Sequence, residues 1–269
     1  MCAVAVKQIS NKPGDSTIKS KMRELLLELR VLVRVRHPNV VTFWGTATEF
    51  PSADSHSQPY IGLVFELCER GSLHHALFDA PTKLKVSQKL KIAHQCALGL
   101  MYLHSKRVIH RDINPRNILL TSDYSAKIAD FGCARVLSGS ATSLKTTTIS
   151  GSPAYMAPEQ LLGQELTEAV DTWAFVVMLW EIMMDQKPWE GRFPDFNFLK
   201  SAILNGEKLH IPQDHYPFPP SYVKNIKLGM QFNPADRPAM SYVESELGSA
   251  VQQYKASQRR EREQQQIQA

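Results

Sequence analysis

Two short polar motifs in the middle of the chain carry the residue types that phosphoryl transfer requires. The segment His110-Arg111-Asp112-Ile113-Asn114-Pro115-Arg116-Asn117 places an aspartate five residues before an asparagine, and Asp130-Phe131-Gly132 adds a second aspartate. In that chemistry one carboxylate meets the acceptor hydroxyl, and oxygen ligands hold a hard cation such as Mg²⁺. The residues between the motifs, 118–120 and 126–129, predict strands, so both motifs should occupy loops. A loop that merely joins two strands would not explain both motifs in this order.

The bulk composition indicates a globular chain with a large core. Of its 269 residues, 43% are apolar, and the net charge of +5 comes without a long basic run, which favours a solvated surface over a nucleic-acid site. The four cysteines lack the paired spacing of a disulfide framework or a metal site, which favours a reducing, cytoplasmic location. Cys133 is open to two interpretations, a packing residue or a reactive thiol.

No targeting or membrane segment is expected. The first residues show no basic segment ahead of an apolar stretch and no cleavage site. The longest apolar run, residues 173–184, contains Glu181 and is shorter than the roughly 20 residues that span a bilayer. We expect it to form a buried core helix.

The periodicity of the sequence predicts a small strand-rich part followed by a larger helical part, an α+β arrangement. Strands are predicted at residues 3–9, 40–45 and 60–66, with a helix at residues 18–35. The helices of the second part are predicted at residues 73–78, 86–104, 168–184, 196–204 and 222–230. We expect two lobes, residues 1–67 and 68–251, and a polar tail, residues 252–269, that is frayed or disordered unless it is a partner-binding helix.

A lysine in the first strand has a potential partner in the first helix. Lys7 follows Ala5-Val6, and Glu28 lies on the same side of the predicted helix as Leu25 and Leu32. The helix should end before the proline at position 38, because the residue ahead of a proline disfavours helical backbone. Counted back from that end, Glu28 is placed to pair with Lys7 and to direct its ammonium group at phosphate oxygens.

Taken together, these motifs resemble a protein kinase domain, from about residue 3 to residue 243. The resemblance implies a protein-kinase-like two-lobed fold with a truncated small β lobe and a mainly helical large lobe. It also implies ATP and Mg²⁺ as cofactors. In the family the lysine matching Lys7 holds the α- and β-phosphates and pairs with Glu28, Asp112 is the catalytic base, and Asn117 and Asp130 hold magnesium.

The same resemblance implies a nucleotide pocket between the lobes. Ala5 and Leu119 match the positions on the two faces of the adenine ring, and Phe65 matches the gatekeeper that precedes the adenine-binding linker. The implied nucleotide-binding residues are Ala5, Lys7, Phe65, Glu66, Cys68, Leu119 and Asp130. The residues that match the apolar stack between the lobes of active kinases are Leu32, Phe43, His110 and Phe131.

Downstream motifs agree with the resemblance. Residues 151–159 resemble the substrate-docking loop of serine/threonine-directed kinases, and Arg237 is expected to pair with Glu159 at its end. Asp171 matches a buried aspartate that supports the catalytic loop. Residues 68–73 and 171–175 are similar to the tyrosine-kinase-like group, whose members are mostly serine/threonine kinases.

Arg111, next to the catalytic aspartate, implies regulation by phosphorylation. In the family such an arginine is held by a phosphate on the loop between Asp130 and Glu159. Residues 144–151 are rich in threonine and serine, show no clear period and look mobile. The candidate phosphosites are Thr146, Thr147, Thr148 and Ser150. An upstream activating kinase is then an expected partner, and the alternative is that these residues only form a polar, flexible loop.

The sequence departs from the family pattern at three places. It contains no Gly-x-Gly-x-x-Gly segment, so we expect weaker ATP binding than in kinases that have one. The chain is then either a fragment of a full kinase or a true short form. Asn114 stands where serine/threonine kinases carry a lysine near the γ-phosphate, although LIM-kinase-like enzymes also have asparagine there. Val176 stands where the family usually has glycine.

The sequence therefore predicts a kinase that transfers the γ-phosphoryl group of MgATP to serine or threonine of a protein substrate, with dual specificity left open by Asn114. The alternative is a catalytically inactive pseudokinase or a regulatory scaffold that binds protein partners. The retained polar residues favour the first interpretation, and the missing glycine pattern favours the second.

Overall fold

The computed structural model describes residues 3–10, 18–49, 60–137, 139–145, 150–213 and 217–268. These residues form a small lobe that contains a sheet and a larger lobe that is mainly helical, which confirms the predicted two-lobed α+β architecture. The chain crosses from one lobe to the other just after residue 66. There the Arg70 N–H bonds the Leu120 carbonyl, and the Leu120 N–H bonds the Gly71 carbonyl at 2.8 Å.

Three antiparallel strands form the sheet of the small lobe in the order β1-β3-β2. They are β1 (Val4–Ser10), β2 (Phe43–Glu49) and β3 (Tyr60–Glu66). The register sets Lys7 opposite Leu63. Because directly opposed residues of an antiparallel pair share a face, Lys7 lies on the same side of the sheet as the buried Leu63. The first and third predicted strands are confirmed to within one residue.

The second strand begins later than predicted, because the preceding residues pair with the other lobe. Val40 forms a parallel bridge with Ile128, and the Val41 N–H donates to the Ile128 carbonyl at 2.9 Å. The strand of the small lobe therefore starts at Phe43 and passes through a register shift before Gly45.

Helix α1 (Ile18–Leu32) carries Glu28 into the space between the lobes. Leu25 and Leu32 are buried on either side of Glu28, which is itself only 5% exposed. The helix ends three residues before the predicted end at residue 35, since a bond from the Arg34 N–H to the Val31 carbonyl closes a tighter turn.

Helix α4 (Ala169–Met184) is the centre of the large lobe. Every residue from Val170 to Ile182 is buried, which confirms the predicted core helix. The other helices are α2 (Val86–Ser105), α3 (Pro158–Leu161), α5 (Phe196–Leu204), α6 (Pro220–Gly229) and α7 (Met240–Gln268). The segment predicted as a helix at residues 73–78 is a wide π-helical turn at His75–Asp79. Among the described residues, no helix combines the length and the apolar character that a membrane span requires.

Two short antiparallel strand pairs anchor the polar motifs. Strand β4 (Val108–Ile109) pairs with β7 (Arg135–Val136), and β5 (Ile118–Leu120) pairs with β6 (Ala126–Ile128). The first motif lies between β4 and β5, and the second lies between β6 and β7. Each loop is therefore held by a strand at both ends.

The polar tail, for which a frayed helix, a disordered segment or a partner-binding helix was expected, continues helix α7 in the structure. Helix α7 runs through the boundary at residue 251 and reaches Gln268. Residues 252–268 contain no glycine or proline and are rich in glutamine, arginine and glutamate, which have high helix propensity. Tyr254 also packs against the core, so the helix is fixed beyond the predicted boundary.

Candidate active site

Asp171, near the start of α4, holds the backbone of the loop between β4 and β5. Its Oδ1 accepts a 2.7 Å hydrogen bond from the Arg111 N–H, and its Oδ2 accepts bonds from the His110 N–H at 2.8 Å and from His104 Nε2 at 2.9 Å. Burial alone would raise the pKa of this carboxyl, but the interactions with His104 and His110 bring the pKa below its ordinary value. An ionised Asp171 thus fixes Arg111 at a φ of +69° and sets the turn that presents Asp112.

Three hydrogen-bond donors orient the Asp112 carboxylate. Oδ1 accepts from the Ser152 N–H at 2.7 Å and from Asn114 Nδ2 at 3.0 Å, and Oδ2 accepts from Asn117 Nδ2 at 2.9 Å. Ser152 belongs to the predicted docking loop, so the carboxylate joins that loop to the catalytic loop. The sequence motifs did not identify the Ser152 N–H as a donor to Asp112, because motifs specify side chains and this donor is a backbone group.

The amide of Asn117 presents its oxygen for a further ligand. Its Nδ2 donates both to the Asp112 carbonyl at 2.8 Å and to Asp112 Oδ2, which fixes the orientation of the amide. Asn117 Oδ1 has no hydrogen-bond donor among the described residues. An oriented amide oxygen without a donor is suited to a hard cation.

Lys7 connects the two lobes through two carboxylates. Its Nζ lies 2.9 Å from Glu28 Oε1 and 2.9 Å from Asp130 Oδ1. Burial would lower the pKa of Lys7, but the hydrogen bond of Asp130 and the charge of Glu28 raise the pKa above its ordinary value. For Asp130, burial would raise the pKa, but the hydrogen bond and the charge of Lys7 lower it. Both groups are therefore charged near neutral pH.

A cavity of about 410 Å³ opens between the lobes beside Lys7. Ala5 of β1 and Leu119 of β5 line it from the two lobes, and the linker and the polar motifs line the rest. All seven residues predicted to bind nucleotide line this cavity: Ala5, Lys7, Phe65, Glu66, Cys68, Leu119 and Asp130. The structure thus brings the predicted set together, which the sequence separates by more than a hundred positions.

The carboxylate of Glu66, at the start of the linker, already has two hydrogen-bond donors. It accepts from Lys127 Nζ at 2.9 Å and from the Thr42 N–H at 2.6 Å. Although burial would raise the pKa of Glu66, the bonds of Thr42 and Lys127 lower it. These bonds hold the start of the linker in place, and residues 66–68 line the cavity.

The predicted apolar stack is partly visible as ring contacts. The rings of His110 and Phe131 meet edge to face at 5.1 Å, and those of Phe43 and Phe65 meet at 5.7 Å. Phe131 and Leu32 are buried. A buried Phe131 places the adjacent Asp130 toward the cavity, where Lys7 reaches it.

Arg111 meets one of the four candidate phosphosites. Its Nη2 donates to Ser150 Oγ at 2.8 Å, and a second cavity of about 520 Å³ is lined by Lys21, Arg111, Arg135 and Ser150 together with neighbouring residues. Burial and the charge of Arg135 lower the pKa of Arg111. Thr146, Thr147 and Thr148 lie outside the described residues.

The three cysteines that the structure describes are free thiols that lie in packed surroundings. Cys68, Cys96 and Cys133 are free. Burial raises the pKa of Cys133, with a further rise from the charge of Asp112. A raised pKa disfavours the thiolate, so the structure supports the packing interpretation for Cys133.

Two buried carboxylates support the docking loop. Glu159 accepts a bidentate pair of hydrogen bonds from Arg237, at 2.6 and 2.7 Å, which confirms the predicted pairing. Glu181 accepts a 2.6 Å bond from the Tyr155 hydroxyl, a contact that the sequence analysis did not predict. A glutamate inside an apolar helix was the available signal, because such a group must find a partner when buried.

Comparison with known protein families and proteins agrees with the geometry of the site. The family model described as "Protein tyrosine and serine/threonine kinase" matches residues 1–247. A Dictyostelium discoideum protein named as a probable serine/threonine-protein kinase is 36% identical over 189 residues, covering 70% of this chain and 19% of its own length. Serine/threonine-protein kinase CTR1 of Arabidopsis thaliana is 32% identical over 201 residues, covering 73% of this chain and 23% of its own length.

A third relative extends the match along the chain. A protein of Acanthamoeba polyphaga mimivirus, provisionally named a serine/threonine-protein kinase/receptor, is 32% identical over 255 residues, covering 93% of this chain and 14% of its own length. The chain thus spans less than a quarter of the length of each of these three relatives.

Proposed function

Because the chain belongs to the protein tyrosine and serine/threonine kinase family, we propose that it transfers the γ-phosphoryl group of ATP to serine or threonine hydroxyls of protein substrates. One observation carries this proposal. Lys7 reaches Glu28 and Asp130 while Asn117 holds the Asp112 carboxylate, so the phosphate-binding and hydroxyl-binding halves of the site occur in the same conformation. The relatives named as serine/threonine-protein kinases support the choice of acceptor.

In this proposal Asp112 receives the proton of the attacking hydroxyl. Its three donors fix the carboxylate in one orientation, which general base catalysis requires. The Lys7 ammonium group binds phosphate oxygens, and Glu28 keeps it directed at the cavity. Ala5 and Leu119 would contact the two faces of the adenine, and the backbone of residues 66–68 would bond its edge.

The donor set fits Mg²⁺, which kinases of this family generally use with ATP. Asn117 Oδ1 and the Asp130 carboxylate would hold the ion, because oxygen atoms are the ligands that Mg²⁺ prefers. The described residues contain no cluster of three His, Cys, Asp or Glu side chains suited to a metal ion. An ion held by Asn117 and Asp130 would complete its coordination with nucleotide phosphates and would neutralise charge on the phosphoryl group.

We further propose that the chain is a tyrosine-kinase-like kinase with serine/threonine specificity. The linker at residues 68–73 and the run at residues 171–175 resemble the tyrosine-kinase-like group, and the docking loop at residues 151–159 resembles that of serine/threonine-directed kinases. Asn114 does not supply the positive charge of the lysine usual at its position. It does bond Asp112 Oδ1 and Ser152 Oγ, so it can position both loops without a charge.

Nucleotide affinity in this chain would rest on the cavity contacts named above. The printed sequence has no Gly-x-Gly-x-x-Gly segment, the element that covers the phosphates with backbone N–H groups in the family. Titration of a fluorescent ATP analogue with Mg²⁺ measures the dissociation constant.

Regulation by an upstream kinase is a further part of the proposal. Arg111 already bonds the hydroxyl of Ser150, and the cavity beside it carries Lys21 and Arg135. A phosphate on this segment would gain charge-assisted bonds from these cations and would hold the docking loop in place.

The deciding experiment is transfer of labelled phosphate from ATP to a generic protein substrate. The chain is compared with its Asp112→Asn variant, which keeps the shape of the side chain but removes the base. We expect label on serine or threonine well above the level of the variant. Equal label in both proteins, with ATP still bound, would reject the proposal and identify a catalytically inactive binding module.

A further inference from the structure

A positively charged cavity lies at the end of the large lobe that is remote from the candidate active site. It has a volume of about 550 Å³ and lies between the start of α2 and the C-terminal half of α7. Four cationic side chains line it: Lys85, Lys255, Arg259 and Arg262. Helix α2 connects this end to the catalytic loop through its 20 residues, a length of about 30 Å.

The geometry of α7 concentrates these charges on one face. Lys255, Arg259 and Arg262 recur at intervals of four and three residues, so they project from the same side of the helix. Lys85 adds a fourth charge from the residue ahead of α2. None of the seven described residues that line the cavity is acidic, and none of the four cations forms an ion pair with a described residue.

We propose that this cavity binds a compact polyphosphate anion, either a free multiply phosphorylated cyclitol or the same headgroup on a lipid. Four like charges around one concavity repel each other, and a multivalent anion removes that repulsion while gaining charge-assisted hydrogen bonds. The concave shape favours a compact ligand over an extended polymer such as nucleic acid. Tyr254 offers a ring surface, and the Ser87 hydroxyl offers a polar contact for a ring bearing hydroxyl groups.

The site would act on location or stability rather than on phosphoryl transfer. None of its lining residues is shared with the cavity beside Lys7. A bound anion would join the N-terminal end of α2 to α7 and thereby stabilise the packing of these two helices. The proposed site also gives a function to residues 252–268, which the fold of the catalytic region alone does not require.

The test is calorimetric titration of the full chain with inositol hexakisphosphate at low and at physiological salt. The test variant is Arg259→Gln with Arg262→Gln. The matched control is Arg260→Gln with Lys227→Gln, which removes the same charge from exposed positions outside the cavity. We expect one bound anion per chain, about tenfold weaker binding for each contact removed in the test variant, and unchanged binding in the control.

Vesicles identify the source of the anion. One set carries a phosphoinositide, and the other carries phosphatidylserine at equal total charge. Binding that needs the phosphorylated headgroup and is lost in the test variant supports a lipid source, whereas binding of the free anion alone supports a soluble one. Equal weakening in test and control variants, or no saturable binding at low salt, would overturn the proposal.

Two further measurements keep the result interpretable. The melting temperature of each variant shows whether the exposed substitutions leave the fold intact, and Lys85→Gln with Lys255→Gln provides an independent test variant. Phosphate transfer should be unchanged in both test variants. Failure of anion binding can thus be told apart from failure of the proposed kinase activity.

Discussion

The side chain of Val176 on α4 packs directly against the backbone of Gly229 on α6. A Cβ atom on Gly229 would lie 2.4 Å from Val176 Cγ1 and 2.8 Å from Val176 Cγ2. Carbon atoms in favourable contact are about 3.5–4.0 Å apart, so position 229 has no room for a side chain while valine occupies position 176. Kinases usually have glycine at the position of Val176. In this chain Gly229 on α6 is the small residue of the contact.

The first prediction concerns this contact. Gly229→Ala should lower the free energy of unfolding by about 1–3 kcal/mol, because overpacking a rigid core forces backbone shifts. Urea unfolding monitored by circular dichroism measures the change. Adding Val176→Ala to the same chain should restore most of the loss, since it removes both clashing methyl groups. Equal stability of Gly229→Ala and the unchanged chain would show that α4 and α6 separate without cost.

A second prediction concerns the buried pair of Glu159 and Arg237. The Arg237 guanidinium also donates to the carbonyls of Ala169, Gln231 and Phe232, so it joins the docking loop to the start of α4 and to the segment after α6. Glu159→Ala should cost about 3–5 kcal/mol, because it leaves a buried cation without its counter-charge. The measurement is again urea unfolding.

The control for this buried pair is an ion pair on the surface of the protein. Lys187 and Glu190 lie 3.4 Å apart, with side chains that are 47% and 63% exposed. Glu190→Ala should change the free energy of unfolding by less than about 1 kcal/mol. Similar losses in the two variants would mean that burial does not determine the strength of these pairs.

The sequence predicted elements whose signal is local and missed features that depend on contacts across the fold. Helix α5 was predicted at its observed bounds, because its apolar periodicity is complete in itself. The start of β2 was wrong because Val41 bonds Ile128, a partner 87 positions away that no local pattern reveals. The extent of α7 was missed for a similar reason, since Tyr254 gains its packing from elements distant in the sequence.

The site shows the same division. Asp112, Asn117 and Asp130 could be identified because they lie in short motifs with fixed spacing. The Ser152 N–H that bonds Asp112 and the Lys127 ammonium that bonds Glu66 could not, because a backbone donor and a lone surface-type lysine carry no motif.

A third prediction follows from the buried carboxylate of Glu181. Burial raises its pKa from 4.5 to about 7, and Oε1 has no hydrogen-bond partner. The hydrogen bond from Tyr155 and the charges of Lys187 and Arg116 oppose this rise in pKa, whereas the charge of Glu190 adds to it. Between pH 4.5 and about 7 the folded state therefore binds more protons than the unfolded state. Stability should fall as the pH rises through this range and should level off above it.

The test compares the chain with Glu181→Gln, which remains neutral at every pH and keeps an acceptor for the Tyr155 hydroxyl. The variant should gain melting temperature relative to the unchanged chain at pH 8 and should gain less at pH 5. Other titrating groups cancel in this difference. A gain of the same size at both pH values would show that Glu181 does not titrate in this range.

The fourth prediction separates the candidate phosphosites. Incubation with an activating kinase should increase phosphate transfer to the substrate. If the phosphate that Arg111 binds is on Ser150, Ser150→Ala should reduce that increase. Arg111→Gln should abolish the increase, because it removes the charge that holds the phosphate. Replacing Thr146, Thr147 and Thr148 together by alanine tests the other sites. Full activation after all four replacements would reject regulation through this segment.

The last prediction concerns Asn114 as the link between Asp112 and the docking loop. Its Nδ2 donates to Asp112 Oδ1 at 3.0 Å and to Ser152 Oγ at 3.1 Å, so one amide group positions both the base and the loop. Asn114→Leu keeps a similar size but removes these bonds, together with the bond that Nδ2 donates to the Asp112 carbonyl and the one that Oδ1 accepts from the Arg116 N–H. We expect kcat to fall at least about tenfold with little change in the KM for ATP. Asn114→Lys should retain activity, because an ammonium group can donate to the same two oxygens and adds positive charge near the transferred group. Steady-state kinetics with a peptide substrate measures both constants. A fall in Asn114→Lys as large as that in Asn114→Leu would show that the bond which Asn114 Oδ1 accepts from the Arg116 N–H, lost in both variants, matters more than the bonds that Nδ2 donates.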